Sequence, residues 1–333
     1  MFEVLVIGGG PAGLAATMYC LRKGMDVHMV TGHMGGKSTL GLTLPDMSDY
    51  HVLKSREQVQ VFRGQVEYLS HLWQRGHVQG VIEGENGFTV TVTSRAGTSE
   101  KTGVPPTVPL DGTPDRSDGS VEELKAERLI VATGATPRPL GVSGEAAFFG
   151  RGLGSSAISY SHLLRERSAV IIGDSDRAVE AAVECALQAQ EVSLVLEPNA
   201  HYSHGHLELV ERQENITVYN GYRVVDFQGD EFARTVEICR GQEDCSRDRP
   251  HRRISADAFF VEREPQPNSS AVRHLVQRNS RGAIRIDAQN CTSNPRIFAA
   301  GDVTTVGVEQ ILVALGEGAR AGLSAYRQLT LQG

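Results

Sequence analysis

The N-terminal stretch Val4-Leu5-Val6-Ile7-Gly8-Gly9-Gly10-Pro11-Ala12-Gly13 joins a short apolar run to a glycine-rich turn. The apolar run, with three β-branched residues among four, is typical of a buried strand in a parallel sheet. The turn has the spacing Gly-x-Gly-x-x-Gly, and the apolar residues after Gly13 predict a helix. A strand, turn and helix of this kind place a dinucleotide pyrophosphate on the helix N-terminus. The alternative interpretation is a plain strand-to-helix turn.

The composition is that of an ordinary globular protein, with 333 residues, 40% hydrophobic and 22% charged. This length predicts two domains, and a formal net charge of −7 argues against a nucleic-acid partner. No apolar run reaches the roughly 18 residues that a membrane span needs. The sequence enters a strand soon after Met1, so we expect no signal peptide. Five irregularly spaced cysteines do not suggest a secreted disulfide framework, and we expect a cytoplasmic location.

Further strands and loops follow the first helix. A second parallel strand is predicted over 25–30, and it ends at Thr31, where an acidic ribose ligand is typical of this fold. The ribose contact is therefore expected to be weaker or made differently. The loop that follows contains Gly35, Gly36 and Lys37, which suits the close approach of a ligand.

The middle of the first half alternates regular and irregular segments. A helix is predicted over 55–76 from a serine cap, helical apolar spacing and a glycine stop. Alternation over 88–93 predicts an antiparallel strand, and the polar composition of 96–120 predicts a long solvated loop. Another buried strand over 128–135 contains Thr133 and Gly134 at its end.

A second strand and turn begin at Ala169, but their nucleotide pattern is degraded. Gly173 and the small Ala178 fit the pattern, whereas Ser175 replaces the central glycine. Asp174 and Asp176 flank the phosphate position and are expected to repel a pyrophosphate. The next strand, 192–196, ends on Glu197, which could accept a hydrogen bond from an unphosphorylated ribose but would repel a 2′-phosphate.

The C-terminal part resembles a third ligand-facing segment. A strand ends on Gly301 and Asp302, and a helix is predicted from Gln310. This arrangement puts the Asp302 carboxylate near a bound cofactor. The alternative is that Asp302 serves only as a helix N-cap.

Together these motifs resemble the low-molecular-weight thioredoxin reductases over nearly the whole chain. The resemblance implies an α/β fold with two Rossmann-like (three-layer ββα) dinucleotide-binding domains, one inserted into the other. An FAD-binding domain would comprise 1–148 plus 266–333, and a degenerate NAD(P)-like domain would comprise 150–265. It also implies a homodimer and two sets of ligand-binding residues. The FAD set is Gly8, Gly10, Pro11, Ala12, Gly13, Thr31, Gly35, Gly36, Lys37, Thr133, Gly134, Gly301, Asp302, Gln310 and Ile311. The second nucleotide set is Gly173, Ser175, Arg177, Ala178 and Glu197.

The chain departs from this family where the family does its chemistry. The two cysteines of the Cys-x-x-Cys motif fall on Ser156 and Ser159, and the acidic proton donor falls on Tyr160. The His-Arg-Arg that grips NADPH falls on 196–198, so NADPH is not expected as a cofactor. The chain resembles relatives that take electrons from ferredoxin or stack a second FAD. Tyr160 could stack on the isoalloxazine ring or simply pack in a vacated site.

Several other groups have both a functional and a simpler interpretation. Cys239 and Cys245 could form a relocated redox disulfide that serves a thioredoxin-like partner, or they could be two free thiols. The basic residues Arg247, Arg249, Arg252 and Arg253, with His251, could dock a ferredoxin-like partner or form a solvated face. Three histidines at 201, 204 and 206 lack companion ligands, so no metal is predicted. A non-catalytic flavin-binding scaffold is the alternative function.

Overall fold

The computed structural model describes residues 1–46, 55–94, 120–241, 245 and 251–331. The predicted solvated loop at 96–120 therefore lies almost wholly outside the described residues, as do Arg247 and Arg249. The strands are β1 Phe2–Ile7, β2 Val27–Thr31, β3 Trp73–Gly84, β4 Gly87–Ser94, β5 Ser120–Val131, β6 Ala135–Thr136, β7 Leu153–Gly154, β8 Ser168–Ser175, β9 Glu191–His201, β10 Ile216–Asn220, β11 Tyr222–Gly229, β12 Ala233–Arg240, β13 Arg252–Ser255, β14 Ala258–Val261, β15 Gln266–Pro267 and β16 Ile297–Ala299. The α-helices are α1 Pro11–Arg22, α2 Ser55–Tyr68, α3 Glu145–Phe148, α4 Asp176–Ala186, α5 His204–Glu211 and α6 Ile311–Leu331.

The first sheet combines strands from both ends of the chain. Strand β1 pairs in parallel with β2 and β5, and β16 extends the sheet beside β5. Strands β3, β4 and β5 add an antiparallel meander. Helices α1 and α6 pack closely because α6 carries small residues, and a Cβ at Gly318 would lie 2.0 Å from the carbonyl oxygen of Ala12. The C-terminal segment is thereby held against the first glycine turn.

The second sheet is formed by a segment that lies between the two parts of the first. Its five parallel strands follow the order β10-β9-β8-β14-β7, and α4 and α5 pack against it. A separate antiparallel sheet of β11, β12 and β13 packs on the opposite face. The chain crosses between the two large sheets through the short antiparallel pair β6 and β15. The predicted α/β fold with two Rossmann-type units, one inserted into the other, is confirmed, and the domain boundaries 1–148 plus 266–333 and 150–265 stay a prediction.

The helix predicted over 55–76 is wrong in its second half. Helix α2 ends at Tyr68, and after a 3₁₀ turn over Ser70–Leu72 the strand β3 begins at Trp73. Strand pairing explains the difference, because Trp73 lies opposite Met29 of β2 and the following residues pair along β4. Tertiary pairing of the sheet edge thus overrides a weak helical periodicity.

Candidate functional site

The first glycine turn has a closed floor and an open face. A Cβ at Gly13 would lie 1.8 Å from the carbonyl oxygen of Gly8, and Gly8 has φ +110°. Both positions therefore require glycine. Around Gly10 the nearest atom to an added Cβ is the Cα of Gly36, at 4.0 Å. Helix α1 begins directly after Gly10, which has no side-chain cap, so its free backbone amides face this space.

Three separated segments meet around this turn. Thr31, at the end of β2, packs against Gly9 and donates a hydrogen bond to the carbonyl of His33 at 2.8 Å. Gly35 has φ +95° and brings the next loop, with Gly36, onto Gly10. On the other side, Gly301 lies against Ala12, where an added Cβ would be 3.0 Å from the Ala12 Cβ. The fold thus brings the predicted FAD residues of these segments together.

Lys37 and Asp302 form an ion pair at this junction. Lys37 Nζ lies 2.7 Å from Asp302 Oδ2 and 2.5 Å from Glu309 Oε2. Helix α6 begins only at Ile311, nine residues after Asp302, so the alternative that Asp302 is a helix N-cap is wrong. The strand ends on Asp302, and a loop rather than a helix follows it. Its carboxylate neutralises Lys37 beside the glycine turn instead.

The two serines at the family's cysteine positions lie beside the same region. Ser156 Oγ and Ser159 Oγ are 2.9 Å apart and hydrogen-bonded, and Ser156 has φ +63°. The side-chain amide nitrogen of Gln310, just before α6, donates to Ser159 Oγ at 3.3 Å. The turn 156–159 is also held by the carboxylate of Glu262, which accepts a hydrogen bond from the Ala157 amide. A residue of the first unit therefore contacts the serine pair directly.

Tyr160 points toward the second core rather than standing free. Its ring stacks on Phe260 with centroids 6.4 Å apart, and its hydroxyl accepts a hydrogen bond from Arg56 Nη2 at 3.0 Å. These contacts support the packing interpretation. Stacking on a flavin stays a prediction.

The second glycine turn is surrounded by arginines that are already paired with carboxylates. Arg138 binds Asp174 at 2.6 Å, and Arg263 binds Glu197 through two nitrogens, at 2.6 and 2.5 Å. Arg177 Nε lies 2.7 Å from Glu262. The expectation that Asp174 stands as a bare charge is therefore corrected, because an arginine neutralises it.

The remaining predicted second-site residues lie at the same end of the sheet. A Cβ at Gly173 would lie 2.4 Å from the carbonyl oxygen of Glu262 and 2.6 Å from the Ala178 Cβ, so the turn is tightly packed. The side-chain oxygen of Ser175 is buried and has no partner among the described residues. Asp176 accepts a hydrogen bond from the Ser203 amide at 2.7 Å.

An open cavity of about 480 Å³ lies at the carboxyl ends of β8 and β9. Ligands of doubly wound sheets bind at this edge. Arg223 is exposed there and has no ion pair among the described residues. The lining residues are Arg138, Leu140, Val142, Asp174, Glu197, Pro198, Asn199, Arg223, Val224 and Arg263.

Four functional candidates were missed from the sequence, namely Arg138, Glu262, Arg263 and Glu309. Three of them form ion pairs between segments more than 60 residues apart, and the fourth binds Asp174, which lies 36 residues away. One signal was available, since the charges of Glu262 and Arg263 directly follow the buried strand β14. Charges at the end of a buried parallel strand point into the ligand edge of such a sheet.

Burial shifts the pKa values of the charged groups between the two units. Burial raises the pKa of Glu262, and Arg177 only partly offsets this effect. Burial also acts to raise the pKa of Glu309, but Lys37 and Arg177 outweigh it and hold that pKa below its usual value. Lys37 and Arg177 have raised pKa values because the carboxylates around them outweigh their burial.

Cys239 and Cys245 form a disulfide with a Cα separation of 5.9 Å. The free-thiol alternative is therefore wrong, whereas a redox role stays a prediction. Cys239 lies opposite Arg223 in the β11–β12 ladder, so the disulfide adjoins the cavity wall. Cys20 and Cys185 are buried thiols, and burial raises the pKa of each to about 12.

The basic and histidine-rich segments have internal partners. Arg253 binds Glu237 at 2.7 Å, and the guanidinium of Arg252 lies 5.2 Å from the ring centre of Tyr219. His206 lies 3.0 Å from Asp176 and 2.9 Å from Glu180. Within the described ranges, no group of three or more His, Cys, Asp or Glu residues has a metal-binding arrangement. The helices that are described include none long and apolar enough to span a membrane.

Comparison with known proteins places this geometry in a family. The sequence profile described as "Pyridine nucleotide-disulphide oxidoreductase" matches residues 2–318. The F-type component of alkyl hydroperoxide reductase in Pseudomonas putida is 29% identical over 330 residues, which is 98% of this chain and 58% of that protein. The chain thus spans less than two thirds of the length of the curated relatives that it matches.

Solved structures show the same fold at lower identity. Thioredoxin reductase from Streptococcus pyogenes has a TM-score of 0.78 and 23% identity, and the match covers 99% of this chain and 98% of that one. Thioredoxin reductase from Giardia duodenalis has a TM-score of 0.79 and 23% identity, with 99% of each chain covered.

Proposed function

The chain belongs to the pyridine nucleotide-disulphide oxidoreductase family, and we propose that it is an FAD-dependent oxidoreductase without a dithiol beside the flavin. The open face at Gly10, the free amides of α1 and the neighbouring Lys37 suit a bound pyrophosphate. Gly8, Gly13 and Gly36 leave the backbone close enough to contact it. FAD supplies the electron-transfer chemistry when bound, and this chain's residues bind and orient it.

The observation that carries the proposal is the hydrogen-bonded pair of Ser156 and Ser159. These hydroxyls contact Gln310, at the start of the helix that closes the FAD site. Hydroxyl groups cannot form a disulfide or exchange with one, since that chemistry needs thiolates. The usual route from NADPH through a dithiol to a thioredoxin is therefore not available at this position.

The electron donor is proposed to be a ferredoxin-like protein or a second dinucleotide such as FAD. Glu197 stands at the ribose end of the cavity and is held by Arg263. A carboxylate at that place accepts hydrogen bonds from a free ribose and repels a 2′-phosphate, which disfavours NADPH. We also propose the two domain boundaries given above, a homodimer and a cytoplasmic location.

The test is anaerobic reduction of the purified protein, after FAD per chain has been counted. Two FAD molecules per chain support the diflavin route, and one supports a protein donor. We expect reduced ferredoxin to bleach the flavin and NADPH to leave it oxidised. Rapid and complete bleaching by NADPH would overturn the proposal, and a flavin that no donor reduces would favour a non-catalytic scaffold.

A second candidate keeps dithiol chemistry in the disulfide Cys239–Cys245. Its support is that the disulfide forms and lies beside the cavity rather than beside Gln310. In this case a thioredoxin-like dithiol would be the partner. Cys239→Ser would then abolish thiol-dependent turnover, and unchanged turnover would exclude this candidate.

A further inference from the structure

Arg177 connects the two units through opposite faces of its guanidinium. It lies in the first turn of α4, in the second unit, yet its Nη1 is 2.6 Å from Glu309 Oε1, just before α6 of the first unit. Its Nε is 2.7 Å from Glu262 Oε2, directly after β14 of the second unit. Both carboxylates are shielded, with Glu262 only 1% exposed.

The charges continue on both sides of Arg177. On the first unit, Glu309 also binds Lys37, and Lys37 binds Asp302 beside the glycine turn. On the second unit, the other oxygen of Glu262 accepts the Ala157 amide and so holds the serine turn. Charges of alternating sign therefore run without a gap from the FAD-site segment to the serine pair.

We propose that Arg177 is a latch that fixes the serine turn against the first unit and commits the second glycine turn's arginine to that task. The contact between Gln310 and Ser159 is the result of this latch, since the two residues belong to the two units that Arg177 joins. The inference rests on protein contacts alone, so it stands or fails independently of the cofactor and donor proposed above. Glu262 and Glu309 are positioning residues in this scheme.

The cost of breaking the latch is expected to be large because its members are shielded from water. Removing one member of a buried pair leaves the other as an uncompensated charge. Glu309 would lose one of two cations, whereas Glu262 would lose its only cation among the described residues. Salt screens such pairs weakly, so the latch should persist at high ionic strength.

Hydrogen exchange of the full chain, followed by mass spectrometry, tests the latch. In Glu309→Ala and in Arg177→Met we expect the amides of 157–163 to exchange at least about tenfold faster, while those of β8 and β14 keep their protection. The matched control is Glu83→Gln, which removes an ion pair with Arg296 inside the first unit and should leave 157–163 unchanged. Unchanged exchange at 157–163 in Glu309→Ala would overturn the proposal.

Non-additivity provides a second criterion. If Arg177 and Glu309 act through one bridge, the double variant should exchange no faster than the faster single variant. Multiplied effects would show that the two residues act separately, and the latch would be rejected. Arg177→Lys keeps the charge, and we expect it to restore much of the protection. If Arg177→Met does not fold, the Glu309→Ala and Arg177→Lys results still decide the question.

Discussion

The side-chain oxygens of Ser156 and Ser159 lie 2.9 Å apart, and the side-chain amide of Gln310 reaches the second of them at 3.3 Å. The turn is stabilised by backbone geometry and by Glu262 rather than by a covalent bond. A scaffold suited to two neighbouring sulfur atoms is therefore present without sulfur. This relationship separates the fold of the chain from the thiol chemistry of the proteins that it resembles.

The first prediction restores the sulfur atoms. In the double variant Ser156→Cys with Ser159→Cys, we expect a disulfide to form spontaneously in air, because the two side chains already point at one another. Thiol titration of the denatured, unreduced protein should give the same number of free thiols as the parent. Ser159→Cys alone serves as the control and should add one free thiol. Two extra titratable thiols in the double variant would contradict the prediction.

The second prediction concerns the floor of the first glycine turn. Gly13→Ala puts a methyl group 1.8 Å from the Gly8 carbonyl oxygen, so the helix must move away from the strand. We expect a loss of about 1–3 kcal/mol in the free energy of unfolding, together with weaker FAD retention. Urea denaturation and the FAD content after gel filtration measure the two effects.

Gly64→Ala is the matched control for this substitution. Gly64 lies within helix α2, and an added Cβ there meets no atom within 4 Å. Alanine in such a place favours the helix by about 0.5–1 kcal/mol. Equal behaviour of the two variants would refute the argument from packing.

The fold was predictable because its signals are local. The glycines of residues 8–13, and the strand and helix patterns beside them, lie within a few residues of each other, and the same holds for the second turn at 173–178. The charged contacts of the site were not predictable in this way. Arg177 meets Glu309 across 132 positions of sequence, and nothing local in either segment announces the partner. Similarly, Trp73 carried no local sign that β2 would pair with it.

The third prediction addresses the pair of Arg263 and Glu197. Arg263→Gln should destabilise the fold by about 2 kcal/mol, because it leaves a largely shielded carboxylate without its two-point partner. The matched control is Arg253→Gln. Arg253 is 67% exposed where it binds Glu237, and we expect its loss to cost at most about 0.5 kcal/mol. Urea midpoints at constant m-value measure both, and similar losses for the two variants would contradict the burial argument.

The last prediction concerns the reactivity of the cysteines and its pH dependence. The thiolate is the reactive form, and burial raises the pKa of Cys20 and of Cys185 to about 12. At pH 8 the thiolate fraction of each is therefore on the order of 10⁻⁴, and raising the pH to 9 increases it while leaving it small. Cys291 is partly exposed, with a raised pKa, so it should be the thiol that an alkylating reagent labels in the native protein, faster as the pH rises.

Stepwise mass analysis checks this assignment. Native labelling should modify one thiol per chain, and labelling after denaturation without reductant should modify three, since Cys20 and Cys185 then become accessible. Denaturation with reductant should modify all five, because the disulfide Cys239–Cys245 opens. Five labels without reductant would show that this disulfide is absent in solution, and the proposal for dithiol chemistry near the cavity would then lose its support. Fast native labelling of Cys20 or Cys185 at pH 8 would instead show that the glycine-turn helices that bury them open far more often than their packing implies.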